Sequence, residues 1–274
     1  MQDQRLSLIR GMIANRALET HFQPIVDLRS GEAVGTEALS RFAQVPVRSP
    51  DAWFAEAATL GLGVELELAA LARALERLDR LPSAMYLSLN ASVEAIMSDE
   101  FHATMSDVPA ERIVLELTEH TQVADYPSFA RTVESLRSVG MRLAVDDAGS
   151  GFASFNHVLH LAPDVIKLDI SLIRGIDHDP AKQSLARALL RFGSEAFGTT
   201  FVAEGIETRG ELGTLRSLGF HSGQGFILGR PSRHVGPVGP VHGASGCADP
   251  RGMLWPMESV ATASTGTAPD QLPR

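Results

Sequence analysis

A chain of 274 residues suits one large α/β domain or two small ones, and 44% hydrophobic residues with a mean hydropathy near zero describe a globular protein with a full core. The net charge of −9, with no long basic block, argues against a direct grip on DNA or RNA. No stretch approaches the roughly 20 consecutive apolar residues of a membrane span.

Residues Met1-Gln2-Asp3-Gln4-Arg5 carry no apolar run of the signal-peptide kind, and Leu6, Ile9, Ile13 and Ala17 recur at helical spacing, which predicts a helix over 4–20. Two strand-like runs follow, His21–Leu28 and Ala33–Phe42. The link Arg29-Ser30-Gly31-Glu32 is so short that it forces an antiparallel hairpin. Helices are expected over 51–60 and 64–80, the second burying Leu68, Leu71, Leu75 and Leu78. Then come strand three (Met85–Asn90), a helix through Ile96 and Phe101, and strand four (Arg112–Leu117). A helix over 126–139 leads through Gly140 to strand five (Met141–Asp146), and strand six covers Val165–Ile170. A helix over 181–196, with Leu185, Leu189, Phe192 and Ala196 as its stripe, leads through Gly198 to strand seven (Thr200–Ala203). A helix over 208–218 leads through Gly219 to strand eight, around Gly225–Leu228. Gly140, Gly198 and Gly219 stand where a helix C-terminus needs a left-handed residue. Eight strands alternating with helices predict an α/β fold, a (β/α)8 TIM-like barrel with an antiparallel first hairpin, over residues 1–234. Residues 235–274 lose periodicity and turn rich in Gly, Pro, Ala, Ser and Thr, as a disordered tail would. The single cysteine, Cys247, excludes an internal disulfide and suits a reducing compartment, so the cytoplasm is the expected location.

The strand ends carry the chemistry. Strand two offers Glu37 and Arg41, which share a face because they are an even number of residues apart. Strand three ends at Asn90, strand four at Glu116 with Glu119 beyond, and strand five at Asp146-Asp147. Strand six holds Lys167 and Asp169, strand seven is followed by Glu204 and Glu207, and strand eight lies near Gln224. In a parallel barrel these ends open on one rim, where barrel enzymes keep their chemistry. Eight carboxylates there cannot all ionise without compensation, and oxygen-only ligands indicate Mg²⁺ or Mn²⁺ rather than zinc. Taken singly, each has a plainer role. Glu37 and Arg41 could form a surface ion pair, Asn90 could cap a helix, Asp146-Asp147 could belong to an ordinary turn, and Lys167 could be an ion-paired wall lysine. His157 and His160, three apart on a predicted helix, lie off this pattern. The joint recurrence at successive strand ends is what points to a site.

Gln23-Pro24-Ile25, Glu37-Ala38-Leu39-Ser40-Arg41, Leu115-Glu116-Leu117-Thr118-Glu119, Asp146-Asp147, Ile166-Lys167-Leu168-Asp169, Ala203-Glu204-Gly205-Ile206-Glu207 and Gln224-Gly225-Phe226 stand in the order of the EAL-domain cyclic-di-GMP phosphodiesterases. The chain resembles that family from about Leu8 to Pro231. The resemblance implies two metal ions, Mg²⁺ or Mn²⁺, held by Glu37, Asn90, Glu116, Asp146, Asp147 and Glu204, with Asp146 bridging. It also implies that Lys167 acts on the attacking water, that Glu119 anchors the loop after strand five, and that Gln23 and Arg41 contact the nucleotide. Asp169 and Gln224 would lie on the substrate side, with Glu207 behind the ligands. The implied reaction is hydrolysis of cyclic di-GMP to linear pGpG, and a homodimer is possible. The family loop usually reads Asp-Asp-Phe-Gly-Thr-Gly, whereas here it reads Asp146-Asp147-Ala148-Gly149-Ser150-Gly151, which places regulation in question more than chemistry. Two other readings compete with the enzyme: a non-catalytic module of the same fold that binds cyclic di-GMP or a protein partner without turnover, and a barrel enzyme of different Mg²⁺ chemistry such as enolate formation. The Glu-Ala-Leu-x-Arg and Gln-Gly elements weigh against the second.

Overall fold

Alternation along the strands and amphipathic helices between them build a closed eight-stranded barrel in sequence order. The structure is a computed structural model that describes residues 2–14, 18–42, 47–117, 123–148 and 152–235, the side chains of 152–155 excepted. In chain order the elements are α1 (Gln2–Ala14), β1 (Leu18–Asp27), β2 (Ala33–Phe42), α2 (Pro50–Thr59), α3 (Gly63–Leu75), β3 (Tyr86–Asn90), α4 (Val93–Ile96), α5 (Asp99–Met105) and β4 (Ile113–Leu117). They continue as α6 (Tyr126–Ser138), β5 (Arg142–Ala148), α7 (Phe152–Leu161), β6 (Val165–Leu168), α8 (Ile170–Ile173), α9 (Pro180–Phe197), β7 (Thr200–Ala203), α10 (Arg209–Leu218) and β8 (Ser222–Gly223). As the four-residue link required, β1 runs antiparallel to β2, and it also closes the barrel antiparallel to β8; the pairings among β2 to β8 are parallel. No helix among the described residues is long and apolar enough to cross a membrane.

Several expectations shift: the helix read over 64–80 ends at Leu75, strand six ends at Leu168, and four others change as follows. The opening helix ends earlier than read, because Leu18 already pairs with Phe42 as the first rung of the hairpin. β5 runs two residues past Asp146, so Ala148 is a buried strand residue paired with Leu168. β8 is only Ser222–Gly223, with Gly225–Leu228 folded instead into a turn in which Leu228 N–H donates to the Gly225 carbonyl at 3.0 Å. A strand bridging only two rungs carries no periodicity to read. On α9 the buried stripe is Ala186, Leu190 and Gly193, while Leu185 and Phe192 are exposed. Gly193 decides that rotation: a Cβ there would lie 2.5 Å from the Phe201 ring, so the helix seats its smallest residue against β7. Gly198 and Gly219 do close α9 and α10 in the left-handed conformation.

The core has separate compartments. Two large clusters fill the space between strands and helices, one on each half of the barrel. A smaller one joins α1 (Ile9, Met12) to Trp53, Leu62 and Leu66 on the outside. The barrel interior holds Ile25, Val114, Ala144, Val165 and Val202, with Tyr86 partly buried against them. Gly35 makes room for Tyr86, since a Cβ would lie 2.6 Å from that ring.

Candidate active site

One pleat above that apolar interior, the same strands turn polar. Gln23 lies two residues from Ile25, Glu116 from Val114, Asp146 from Ala144, Lys167 from Val165 and Glu204 from Val202. Residues two apart share a face, so the polar set lines the barrel mouth with an apolar floor beneath it. Glu37, Ser88, Glu116, Asp146 and Lys167 are all buried.

Lys167 is the centre of the set. Its Nζ lies 2.8 Å from Glu204 Oε1, 2.9 Å from Glu116 Oε2, 3.2 Å from Asp146 Oδ1 and 3.4 Å from Glu37 Oε2. Two triads of carboxylates offer oxygens within 4.8 Å of one another: Glu37, Glu116 and Asp146, and then Asp146, Asp147 and Glu204. Asp146 belongs to both.

A β-bulge makes the second triad. Between Val145/Ile166 and Ala148/Leu168, Asp146 and Asp147 together face the single residue Lys167, and Asp147 takes a left-handed φ of 53°. On a regular strand, consecutive side chains point to opposite faces; the extra residue breaks that alternation and lets both aspartates reach one rim. Aspartate is among the few residues other than glycine that adopt this conformation readily.

Neutral donors orient the carboxylates. Glu37 accepts from Asn90 Nδ2 at 3.1 Å and from Gln224 Nε2 at 2.7 Å. Gln224 also donates to Gln23 Oε1 at 3.0 Å, and Gln23 Nε2 donates to the Gly229 carbonyl at 3.1 Å. Ser88 Oγ donates to Glu116 Oε1 at 2.5 Å. With Nδ2 engaged, Asn90 keeps its side-chain carbonyl for another partner.

Burial works against so many charges. It pushes Glu116 well up from the ordinary carboxylate range, with Glu37 and Asp146 adding repulsion, and it raises Asp146 and carries Glu204 to about 8. Burial acts the same way on Glu37, but there Lys167, Gln224 and Asn90 outweigh it and hold the pKa low. For Lys167 burial favours the neutral amine, yet Asp146, Glu116, Glu204 and Glu37 prevail and hold it firmly protonated. One ammonium does not balance five carboxylates. Two hard divalent cations would, and the donor set, oxygens only with one carboxylate common to two triads, fits them.

The other sequence candidates lie further out. Arg41 is half-buried at the end of β2, paired in register with Glu19, its Nη1 donating to the Ser40 carbonyl at 2.8 Å. Asp169 caps α8, accepting from Ser171 N–H at 2.8 Å, and Glu207 is exposed beside Arg174 at 3.3 Å. Glu119 lies outside the described residues. Tyr126 engages both histidines set aside on sequence, its hydroxyl 3.0 Å from His157 Nδ1 and its ring stacked on His160. Ser88 is the residue that sequence reasoning passed over. Its signal was alternation, because Tyr86, Ser88 and Asn90 share the inward face of β3.

The family model for the EAL domain matches residues 7–231. The chain belongs to the EAL-domain family. Among its relatives this EAL domain is 29% identical, over 81% of its own length, to the probable cyclic di-GMP phosphodiesterase PdeB of Escherichia coli. It is 30% identical, over 77% of its length, to a cyclic di-GMP phosphodiesterase of Pseudomonas aeruginosa. It spans 44% and 38% of those two proteins, less than half of each. Among solved structures it superposes on the MucR phosphodiesterase of Pseudomonas aeruginosa in complex with c-di-GMP with a TM-score of 0.73 and 27% identity, covering 84% of this chain and 97% of that one.

Proposed function

We propose that this EAL domain hydrolyses one phosphodiester bond of cyclic di-GMP to give linear pGpG, with two divalent cations, Mg²⁺ or Mn²⁺, as cofactors. The observation that carries the reading is the pair of carboxylate triads sharing Asp146 at the C-terminal rim of the barrel. Glu37, Asn90, Glu116, Asp146, Asp147 and Glu204 would hold the cations, which when bound lower the pKa of a coordinated water and stabilise charge on the phosphoryl oxygens. Lys167 stays protonated at the centre, so its part is to orient water and favour hydroxide rather than to accept a proton. Arg41 makes no ion pair among the described residues, though Glu37 and Asp51 lie near enough to act on its charge, and its guanidinium is the group best shaped to hold a phosphate. Gln23 and Gln224 keep Glu37 in place as well as lining the substrate side. The apolar floor closes the site from beneath, and the low dielectric there strengthens the electrostatic contacts just above it.

The competing reading is a receptor that binds the nucleotide without turnover. A receptor needs no second triad, and here both are complete. The deciding assay incubates purified protein with cyclic di-GMP and Mg²⁺ or Mn²⁺ and follows pGpG by chromatography. Metal-dependent pGpG supports the enzyme, whereas saturable binding with no product under either metal supports the receptor. The cytoplasm and a homodimer belong to the same proposal, the dimer on the strength of exposed Leu159, Leu185 and Phe192 on α7 and α9. A barrel unit over residues 1–234 is part of it too; the tail expected beyond it lies, from residue 236, outside the described residues, and deleting 236–274 should preserve turnover.

A further inference from the structure

We infer that Ser88 is a positioning residue that acts through Glu116, fixing which carboxylate oxygen faces the cations. The inference rests on the metal-dependent reading above and adds a residue to it. A glutamate's terminal torsion is broad and roughly two-fold, so burial alone does not set the plane of its carboxylate. Glu116 has one oxygen on each of two partners: Ser88 Oγ at 2.5 Å holds Oε1, and Lys167 Nζ at 2.9 Å meets Oε2. Ser88 and Glu116 are each 1% exposed, so bulk water does not compete for this contact.

The β3–β4 register explains the geometry. Ser88 pairs with Val114 and Asn90 with Glu116, so Ser88 sits one pleat below Glu116 on the inward face and reaches up to its carboxylate. Asn90, one pleat higher on the same face, orients Glu37 instead. Two adjacent inward residues of a single strand thus hold two different carboxylates of one triad. Partners behind metal-binding carboxylates typically change metal affinity by about 10–100-fold when removed.

The test titrates Mn²⁺ alone, without nucleotide, into wild type, Ser88→Ala, Ser88→Thr, Glu116→Gln and the Ser88→Ala/Glu116→Gln double variant, by calorimetry, with melting curves to report folding. Ser88→Ala should weaken Mn²⁺ by roughly tenfold or more and lower kcat with little change in KM, while Ser88→Thr, which keeps the hydroxyl, should recover both. In the Glu116→Gln background, Ser88→Ala should add no further loss, the signature of a residue acting through its neighbour. Equal Mn²⁺ affinity in wild type and Ser88→Ala, or an equal loss in both backgrounds, would overturn the inference while leaving the metal reading intact. A wild-type chain that takes up no Mn²⁺ would overturn the metal reading, and this inference with it. The cycle decides the matter even if the added methyl of Ser88→Thr is not accommodated.

Discussion

Two layers of the barrel, one pleat apart, carry opposite chemistry on the same strands. The lower holds Ile25, Val114, Ala144, Val165 and Val202; the upper holds Gln23, Glu116, Asp146, Lys167 and Glu204, each two residues away along its strand. β1 runs the other way, so on it the polar residue precedes the apolar one instead of following it. The lower layer is an ordinary core, held by apolar burial. The upper is somewhat more open, with Glu204 only half-buried, and is held by charge balance, with Lys167 inside a ring of carboxylates. The floor stabilises the fold, and the rim spends stability on holding like charges close together.

The sharpest way to break the comparison is in the rim. Glu37→Ala removes an oxygen from a triad with no spare and should abolish pGpG formation, with Mn²⁺ binding weakened by more than the roughly 10–100-fold expected of an outer partner. Near-wild-type turnover would remove Glu37 from the metal set. Lys167→Ala should lower kcat by at least about 10²-fold, the scale of losing one fixed charge at the reacting centre. It should leave Mn²⁺ affinity close to wild type, because it subtracts a competing cation and no ligand. A lysine needed to build the metal site would show the reverse pattern.

The floor should answer differently. Ile25→Ala should cost about 2–5 kcal/mol of folding stability, read as a lowered denaturation midpoint, with Mn²⁺ affinity of the folded protein within about tenfold of wild type, or ~1.4 kcal/mol. An equal loss of affinity would mean that the layers are not separable.

A smaller effect separates the layers by pH. Burial raises Glu116, Asp146 and Glu204 above their unfolded values, Glu204 from 4.5 to about 8. In that window the native state binds more protons than the unfolded chain, so the stability these groups give is present below pH ~4.5 and lost as pH rises through about 8. Glu37, shifted down, acts only below pH ~4.5, and Lys167, shifted up, only in strongly alkaline solution. The melting temperature of metal-free protein should therefore fall from pH 5 to pH 8, and Mn²⁺ should flatten that fall by favouring the ionised carboxylates. A metal-free profile that rises over this range would contradict the charge balance described for the rim.

The smallest effect lies just behind the rim. Ala148, one residue past the bulge, borders a wholly apolar cavity of about 10 Å³ among Val158, Ile166, Leu168, Leu189, Phe192 and Phe201. Ala148→Val should stabilise by up to ~1 kcal/mol, at roughly 0.8 kcal/mol per buried methylene less the strain of a tight fit. It should change kcat by less than about tenfold. A larger loss of turnover would show that the bulge carrying Asp147 depends on the space behind it.

The sequence alone determined the barrel, its reversed first strand and most of the carboxylates. Hydrophobic period, turn chemistry and glycine placement are local properties: β2 and β7 lie at Ala33–Phe42 and Thr200–Ala203 as read, and the short link forced the hairpin. Tertiary structure decided what depends on partners distant in the chain. The bulge at Asp147 exists only in the pairing of β5 with β6, and it decides that two consecutive aspartates share one rim. The two-residue β8 is defined by its neighbours on both sides, not by a pattern of its own. Of eight candidate carboxylates, Asp169 also caps a helix and Glu207 lies exposed beside Arg174, placements that strand-end position alone does not show. Ser88 became meaningful only once β3 lay against β4, because a hydroxyl has no assigned role until the acceptor it reaches, 28 residues along the chain, is in place.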